Sequence, residues 1–146
     1  MYNPKLKEIM TLNPFTVGPD DSMARVDELF NTHNFHHLPV VNKENEVVGM
    51  ISKSDYRLLC GRLTLFMRDR ERTENLAYFR SLLVEEVMTT PVAKLGEENE
   101  ASIAVGFFRE NLFHAVPVVN KDNKLVGILT PLDLINYAFN EMNTIY

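Results

Sequence analysis

Two short stretches of this chain pair a hydroxyl with an aspartate three residues on: Ser52-Lys53-Ser54-Asp55 and Thr130-Pro131-Leu132-Asp133. Each follows a glycine and two apolar residues, Gly49-Met50-Ile51 and Gly127-Ile128-Leu129, so in both a buried strand ends where a helix begins. Ser/Thr-x-x-Asp ahead of an apolar helix is a capping pattern, and Pro131 stands at the favoured first helical position. The same corner also suits a nucleotide. Helix-start N–H groups, a hydroxyl and the positive end of the helix dipole fit a phosphate. An ionised aspartate is acceptor-only with two oxygens, so it can take hydrogen bonds from both hydroxyls of a ribose. Charge-assisted bonds of that kind are worth roughly 1.5–3 kcal/mol each. Capping and binding are compatible, because hydroxyl and carboxylate keep spare lone pairs.

Other residues invite chemistry less directly. His33, His36 and His37 cluster in one stretch, and His114 recurs later. Imidazoles bind zinc, nickel or copper well. Yet no cysteine or carboxylate stands at a ligand spacing, and His36 and His37 on one strand would point to opposite faces. Helix-to-strand corner residues or ligand lining are the other readings, and no metal site is expected. Asp20-Asp21 suits a general acid–base pair or, more simply, a helix start. Cys60 is the single cysteine; beside Leu58, Leu59 and Gly61 it reads as a buried or half-buried free thiol. No nucleophile–base motif, P-loop or dinucleotide fingerprint is present, so neither an enzyme nor a resident cofactor is expected.

The elements that must position these groups occur twice. VVNKENEVVG at residues 40–49 returns as VVNKDNKLVG at residues 118–127, an offset of 78 residues (118 − 40). At the same offset Met10-Thr11 matches Met88-Thr89, Phe30 matches Phe108, His36 matches His114, Pro39 matches Pro117, and Asp55 matches Asp133. Each copy reads as a helical lead ending in Met-Thr and stopped by Pro14 or Pro91, then a brief extended piece. An amphipathic helix follows, with Val26, Leu29 and Phe30 or Ala104, Phe107 and Phe108 at helical spacing. Two strands joined by the polar turns Lys43–Glu46 and Lys121–Lys124 come next, and a helix closes the copy. The unit is β-α-β-β-α and the fold class α/β (α+β). The expected division is residues 5–68 and 69–146, with helical stripes on both sides of the mixed-charge run Arg68-Asp69-Arg70-Glu71-Arg72.

Bulk properties narrow the partners. Hydrophobic residues at 45% and charged residues at 24% describe a globular chain. A formal net charge of −5 offers no basic field for a nucleic-acid backbone, although a local basic spot can grip a small anion. The N-terminus lacks a signal stretch and no run of about 18 apolar residues occurs. Membrane insertion is therefore not expected, and a cytoplasmic location is.

Met-Thr ahead of a proline, a hydrophobic-Pro-Val-Val strand, and Gly-hydrophobic-hydrophobic-Ser/Thr-x-x-Asp together resemble the CBS-domain pair, or Bateman module, from about residue 5 to residue 142. The resemblance implies two copies packed about a pseudo-two-fold axis with two ligand clefts between them. It implies that the hydroxyl meets phosphate, the aspartate meets ribose, and the hydrophobic-Pro strand and first short strand enclose the base. Carried over, the first cleft uses Thr16, His37, Leu38, Pro39, Ser52 and Asp55. The second uses Lys94, Ala115, Val116, Pro117, Thr130 and Asp133, with Lys53 and Lys94 as added cations. Thr16 answers to Ala93-Lys94 with a one-residue shift. The implied function is regulatory binding of an adenosine-containing ligand of the AMP, ADP or ATP class, with S-adenosylmethionine, NAD and cyclic dinucleotides also open. Output would pass through a homodimer or an unidentified protein target. The alternative is a ligand-free dimerisation or interaction module, with Phe139, Met142 and Tyr146 as contact residues.

Overall fold

The computed structural model describes residues 2–64, 72–111 and 114–144, with no side-chain detail for residues 62–76, 111–113 or 141–146. Phe66, Met67, Arg68–Glu71 and Tyr146 lie outside the described residues, as does the side chain of Met142. In chain order the elements are α1 (Leu6–Ile9), β1 (Thr11–Leu12), α2 (Met23–Thr32), β2 (His37–Val41), β3 (Val47–Ser52) and α3 (Lys53–Thr64). Then come α4 (Arg72–Ser81), α5 (Val84–Val87), β4 (Leu95–Gly96), α6 (Ala101–Asn111), β5 (Val116–Val119), β6 (Leu125–Leu129) and α7 (Pro131–Thr144). The fold is mixed α/β.

Two compact units form, one of residues Phe15–Val92 and one of Met1–Pro14 with Ala93–Tyr146. They are cut differently from the sequence copies at 5–68 and 69–146. Each unit takes its Met-Thr segment from the other copy. In the second unit β1 pairs with β6, Thr11 opposite Ile128. In the first, Thr89 bridges Met50 in the equivalent place, Met50 N–H donating to the Thr89 carbonyl at 3.2 Å and Thr89 N–H to Met50 at 2.9 Å.

A methionine seals each exchange. A Cβ on Gly127 would stand 2.8 Å from Cγ of Met10 and 2.9 Å from the Thr11 carbonyl oxygen, and one on Gly49 would overlap the Met88 thioether. Only a glycine lets the incoming segment lie this close to the strand.

Both units share one strand order. The second has the sheet β1-β6-β5-β4, with β5–β6 antiparallel and β4 parallel to β5, Leu95 opposite Val118. The first has the antiparallel pair β2–β3, with Val17 bridging Val40 in parallel where Leu95 meets Val118. The hairpin turns also repeat. Oδ1 of Asn42 accepts from the N–H groups of Glu44 (3.1 Å) and Glu46 (2.9 Å), and Oδ1 of Asn120 accepts from Asp122 (2.9 Å) and Lys124 (3.0 Å). Asn45 (φ 60°) and Asn123 (φ 62°) supply the left-handed residue, a conformation asparagine tolerates.

One face of each sheet is packed with helices. Met23, Val26, Leu29 and Phe30 of α2 join Leu38, Val40, Ile51, Tyr56, Phe79 and Val84 in the first core. Leu6, Ala104, Val118 and Leu129 make the second, with Phe108 and Leu134 against it. Asp21, offered by sequence as an acid–base candidate, is a turn residue ahead of α2. Its Oδ2 accepts from Gly18 N–H at 2.7 Å, just as Oδ1 of Asn99 accepts from Gly96 N–H at 2.6 Å.

Candidate functional site

The first corner is assembled by the β2–β3 register. His37 lies opposite Ser52, Leu38 opposite Ile51 and Pro39 opposite Met50. Lys53 N–H donates to the His36 carbonyl at 2.7 Å, tying the first turn of α3 to the start of β2. Val17 N–H donates to the Pro39 carbonyl at 3.2 Å, which sets Thr16 one residue from the same strand. Thr16, His37, Pro39, Ser52, Lys53 and Asp55 are thus brought to one end of one unit. Leu38 and Pro39 are both fully buried, so they support the corner from within rather than meet a ligand at its surface.

Within that corner Ser52 caps α3, its Oγ accepting from Asp55 N–H at 3.0 Å. The carboxylate of Asp55 is half-buried and has no hydrogen-bond or ion-pair partner among the described residues. The same is true of the Lys53 ammonium. An acceptor with four lone-pair sites and a cation therefore stand ready beside the first turn of a helix.

The second corner has the same frame and a different hydrogen-bond state. Oδ2 of Asp133 accepts from Thr130 N–H at 2.9 Å and from Thr130 Oγ1 at 3.2 Å, and Oδ1 accepts from Thr11 Oγ1 at 3.2 Å. Thr130 Oγ1 in turn lies 3.4 Å from Asp133 N–H. The reciprocal cap proposed for Ser/Thr-x-x-Asp is made here in full, and both carboxylate oxygens are in use. Val116 and Pro117 are buried, Ala115 and Thr130 half-buried.

The one-residue shift expected at Ala93-Lys94 does not occur. Val17 and Leu95 pair with Val40 and Val118, so Lys94 stands directly where the first copy has Thr16. Its ammonium donates to Oδ1 of Asn123 at 3.3 Å, in the hairpin turn before β6. Lys94 precedes Leu95, which is level with Val118 and Gly127, so its backbone lies towards the Thr130 end of the sheet while its ammonium is engaged at Asn123.

Comparison with known proteins explains the repeated frame. The CBS domain matches residues 6–59 and 84–140. The chain belongs to the CBS-domain family. Its two repeats share 27% identity, over 90% of the chain, with an inosine-5'-monophosphate dehydrogenase of Methanocaldococcus jannaschii, of which the chain spans 23% of the length. Two crystal structures show the same fold. One is CBSX2 of Arabidopsis thaliana in complex with AMP (TM-score 0.77, 24% identity, 94% of this chain and 98% of that one). The other is the CBS domain pair of protein MJ0100 with 5'-methylthioadenosine and S-adenosyl-L-methionine (TM-score 0.73, 22% identity, 96% and 99%).

Other residues singled out by sequence find structural places in the CBS pair. His33 stacks on Phe35 with ring centroids 5.3 Å apart and meets Phe15 in a tilted contact at 4.4 Å. Among the described residues no three of His, Cys, Asp and Glu gather as a metal site, and no helix is long and apolar enough to cross a membrane. Cys60 is half-buried on α3; burial, then the nearby charge of Asp27, pushes its thiol up, which keeps it protonated. Asp27 itself is held above the usual carboxylate range by burial, and accepts hydrogen bonds from the Tyr56 hydroxyl and, at 3.1 Å, from the Asn31 amide. Thr11 is the site residue that sequence reasoning missed. Its repetition as Thr89 marked it, but its partner lies 122 residues away.

Proposed function

We propose that this CBS pair is a regulatory module that binds an adenosine-containing nucleotide of the AMP, ADP or ATP class, with the first repeat carrying the working site. Asp55 accepts from the ribose hydroxyls. Lys53, with the α3 N–H groups and the Ser52 hydroxyl, receives phosphate, and Thr16 and His37 border the base. The observation that carries this reading is the contrast between the two aspartates. Asp55 keeps both oxygens open, whereas Asp133 spends both on Thr130 and Thr11. A structural role for Thr130–Asp133 follows from the same contrast. The AMP and S-adenosylmethionine complexes of CBS pairs with this fold support the ligand class.

Signalling is through self-association. Leu132, Ile135 and Phe139 form a stripe at i, i+3 and i+7 on α7 and are 61%, 51% and 60% exposed, the pattern of a helix face that meets a second apolar surface. Ligand binding then biases a two-state equilibrium to the extent that it favours one arrangement. Thermal denaturation with AMP, ADP, ATP and S-adenosylmethionine tests the binding claim. A ligand at 100 times its dissociation constant adds about 2.7 kcal/mol, and no shift with any of the four at millimolar concentration overturns it.

A further inference from the structure

The helix that carries Asp55 is fastened differently from its counterpart. Tyr56, the next residue, is 7% exposed and turns into the first core. Its ring centroid lies 5.5 Å from that of Phe30 on α2 and 6.1 Å from that of Phe79 on α4. Its hydroxyl donates to Oδ1 of Asp27 on α2, which also accepts from the Asn31 amide at 3.1 Å. The 78-residue offset turns Tyr56 into Leu134 and Asp27 into Val105 while keeping Phe30 as Phe108. The second repeat packs Leu134 and Phe108 on its core without a polar pair at these positions.

Stability does not explain the pair. Asp27 is half-buried with no ion-pair partner among the described residues, and burial holds its carboxyl above the usual range. The folded-state value is the higher one, so this group favours folding only at acid pH, and its charge costs stability at neutral pH. Apolar residues serve the same packing in the second repeat.

What the pair adds is direction. Asp133 is aimed by its own hydrogen bonds to Thr130 and Thr11. The Asp55 carboxylate has none among the described residues, so its aim depends on how α3 is set. Successive helical residues lie about 100° apart, so a Tyr56 pinned by a directional bond fixes the rotation of the first turn and hence the position of Asp55. The repeat whose aspartate is not held by neighbours is the one that has the pin.

We propose that Asp27 and Tyr56 are positioning residues for the nucleotide corner, their hydrogen bond holding α3 in the rotation at which Asp55 meets the ribose hydroxyls. This rests on the reading of Asp55 as the ribose acceptor.

Calorimetry with AMP and thermal denaturation of the full chain test it. Tyr56→Phe, alone or combined with Asp27→Val, is expected to weaken AMP roughly threefold to tenfold, the share of one hydrogen bond. The double variant is expected to melt no lower than wild type, because an apolar pair replaces a half-buried charge. Asp27→Asn, whose amide oxygen still accepts from Tyr56, is expected to keep AMP affinity within about twofold of wild type. A lowered melting temperature with AMP affinity intact would mark a purely structural pair and overturn the proposal. Equal weakening by Asp27→Asn and by the double variant would overturn it too, since the bond would not be the agent. If Asp55→Asn weakens AMP and Tyr56→Phe does not, this proposal alone fails. If wild type binds no AMP, the nucleotide reading fails and takes this one with it.

Discussion

Asp55 and Asp133 hold equivalent positions and make different bonds, so the same substitution has different costs at the two. Asp133→Asn removes one of two carboxylate oxygens that serve Thr130 and Thr11, and should cost about 1–2 kcal/mol of stability. Asp55→Asn removes no described side-chain bond and should stay within about 0.5 kcal/mol. Urea denaturation of both variants measures this, and the reverse order would contradict the assignment of roles. A second residue pair is coupled through charge. Burial and then Asp27 raise the Cys60 thiol, so Asp27→Asn should lower the thiol's pKa and speed its reaction with an aromatic disulfide at pH 8. The amide oxygen of the asparagine still accepts from Tyr56. An unchanged rate would show that Asp27 does not act on Cys60.

At the scale of elements, local signals and non-local packing part company. The helices, both hairpins and the hydroxyl–aspartate corners were legible because each is dictated within about ten residues. Asn42 and Asn45 make one turn, Ser52 caps one helix, and Val26, Leu29 and Phe30 fall on one stripe. The exchange of the Met-Thr segments was not legible. Nothing local to Met10 reports that it packs on Gly127 rather than Gly49, because the two glycines sit in near-identical sequences. The states of Asp55 and Asp133 were hidden for the same reason. Gly127→Ala should cost about 1–3 kcal/mol through overpacking against Met10 and the Thr11 carbonyl, and Met10→Ala should relieve the Met10 part of it in a double-mutant cycle. Additive costs would contradict the contact. The segment before β1 is also held electrostatically. Lys5 and Lys7 both lie 2.7 Å from Glu98 and draw its carboxyl from 4.5 down to about 2. The folded-state value is the lower one, so this stabilisation is complete above pH 4.5 and is lost as pH falls towards 2. Exposure of the trio keeps it small. Replacing Lys5 and Lys7 with glutamine should return the Glu98 titration midpoint towards 4.5 by NMR, and a midpoint that stays put would remove the lysines as its cause.

At the scale of the whole molecule, self-association and ligand binding are the properties to measure. The α7 stripe predicts a dimer in sedimentation at tens of micromolar, and Ile135→Glu should shift it to monomer by placing a charge in the apolar contact. A wild-type monomer would rule the stripe out as a dimer interface. The most direct test of the central claim is calorimetry with AMP. Wild type should bind at a site that Asp55→Asn weakens by about tenfold to a few hundredfold, the loss of one to two charge-assisted hydrogen bonds. Asp133→Asn should leave the affinity within about twofold, because its carboxylate already serves Thr130 and Thr11. Equal AMP affinity in wild type and Asp55→Asn would contradict the account and leave Asp55 with no part in binding.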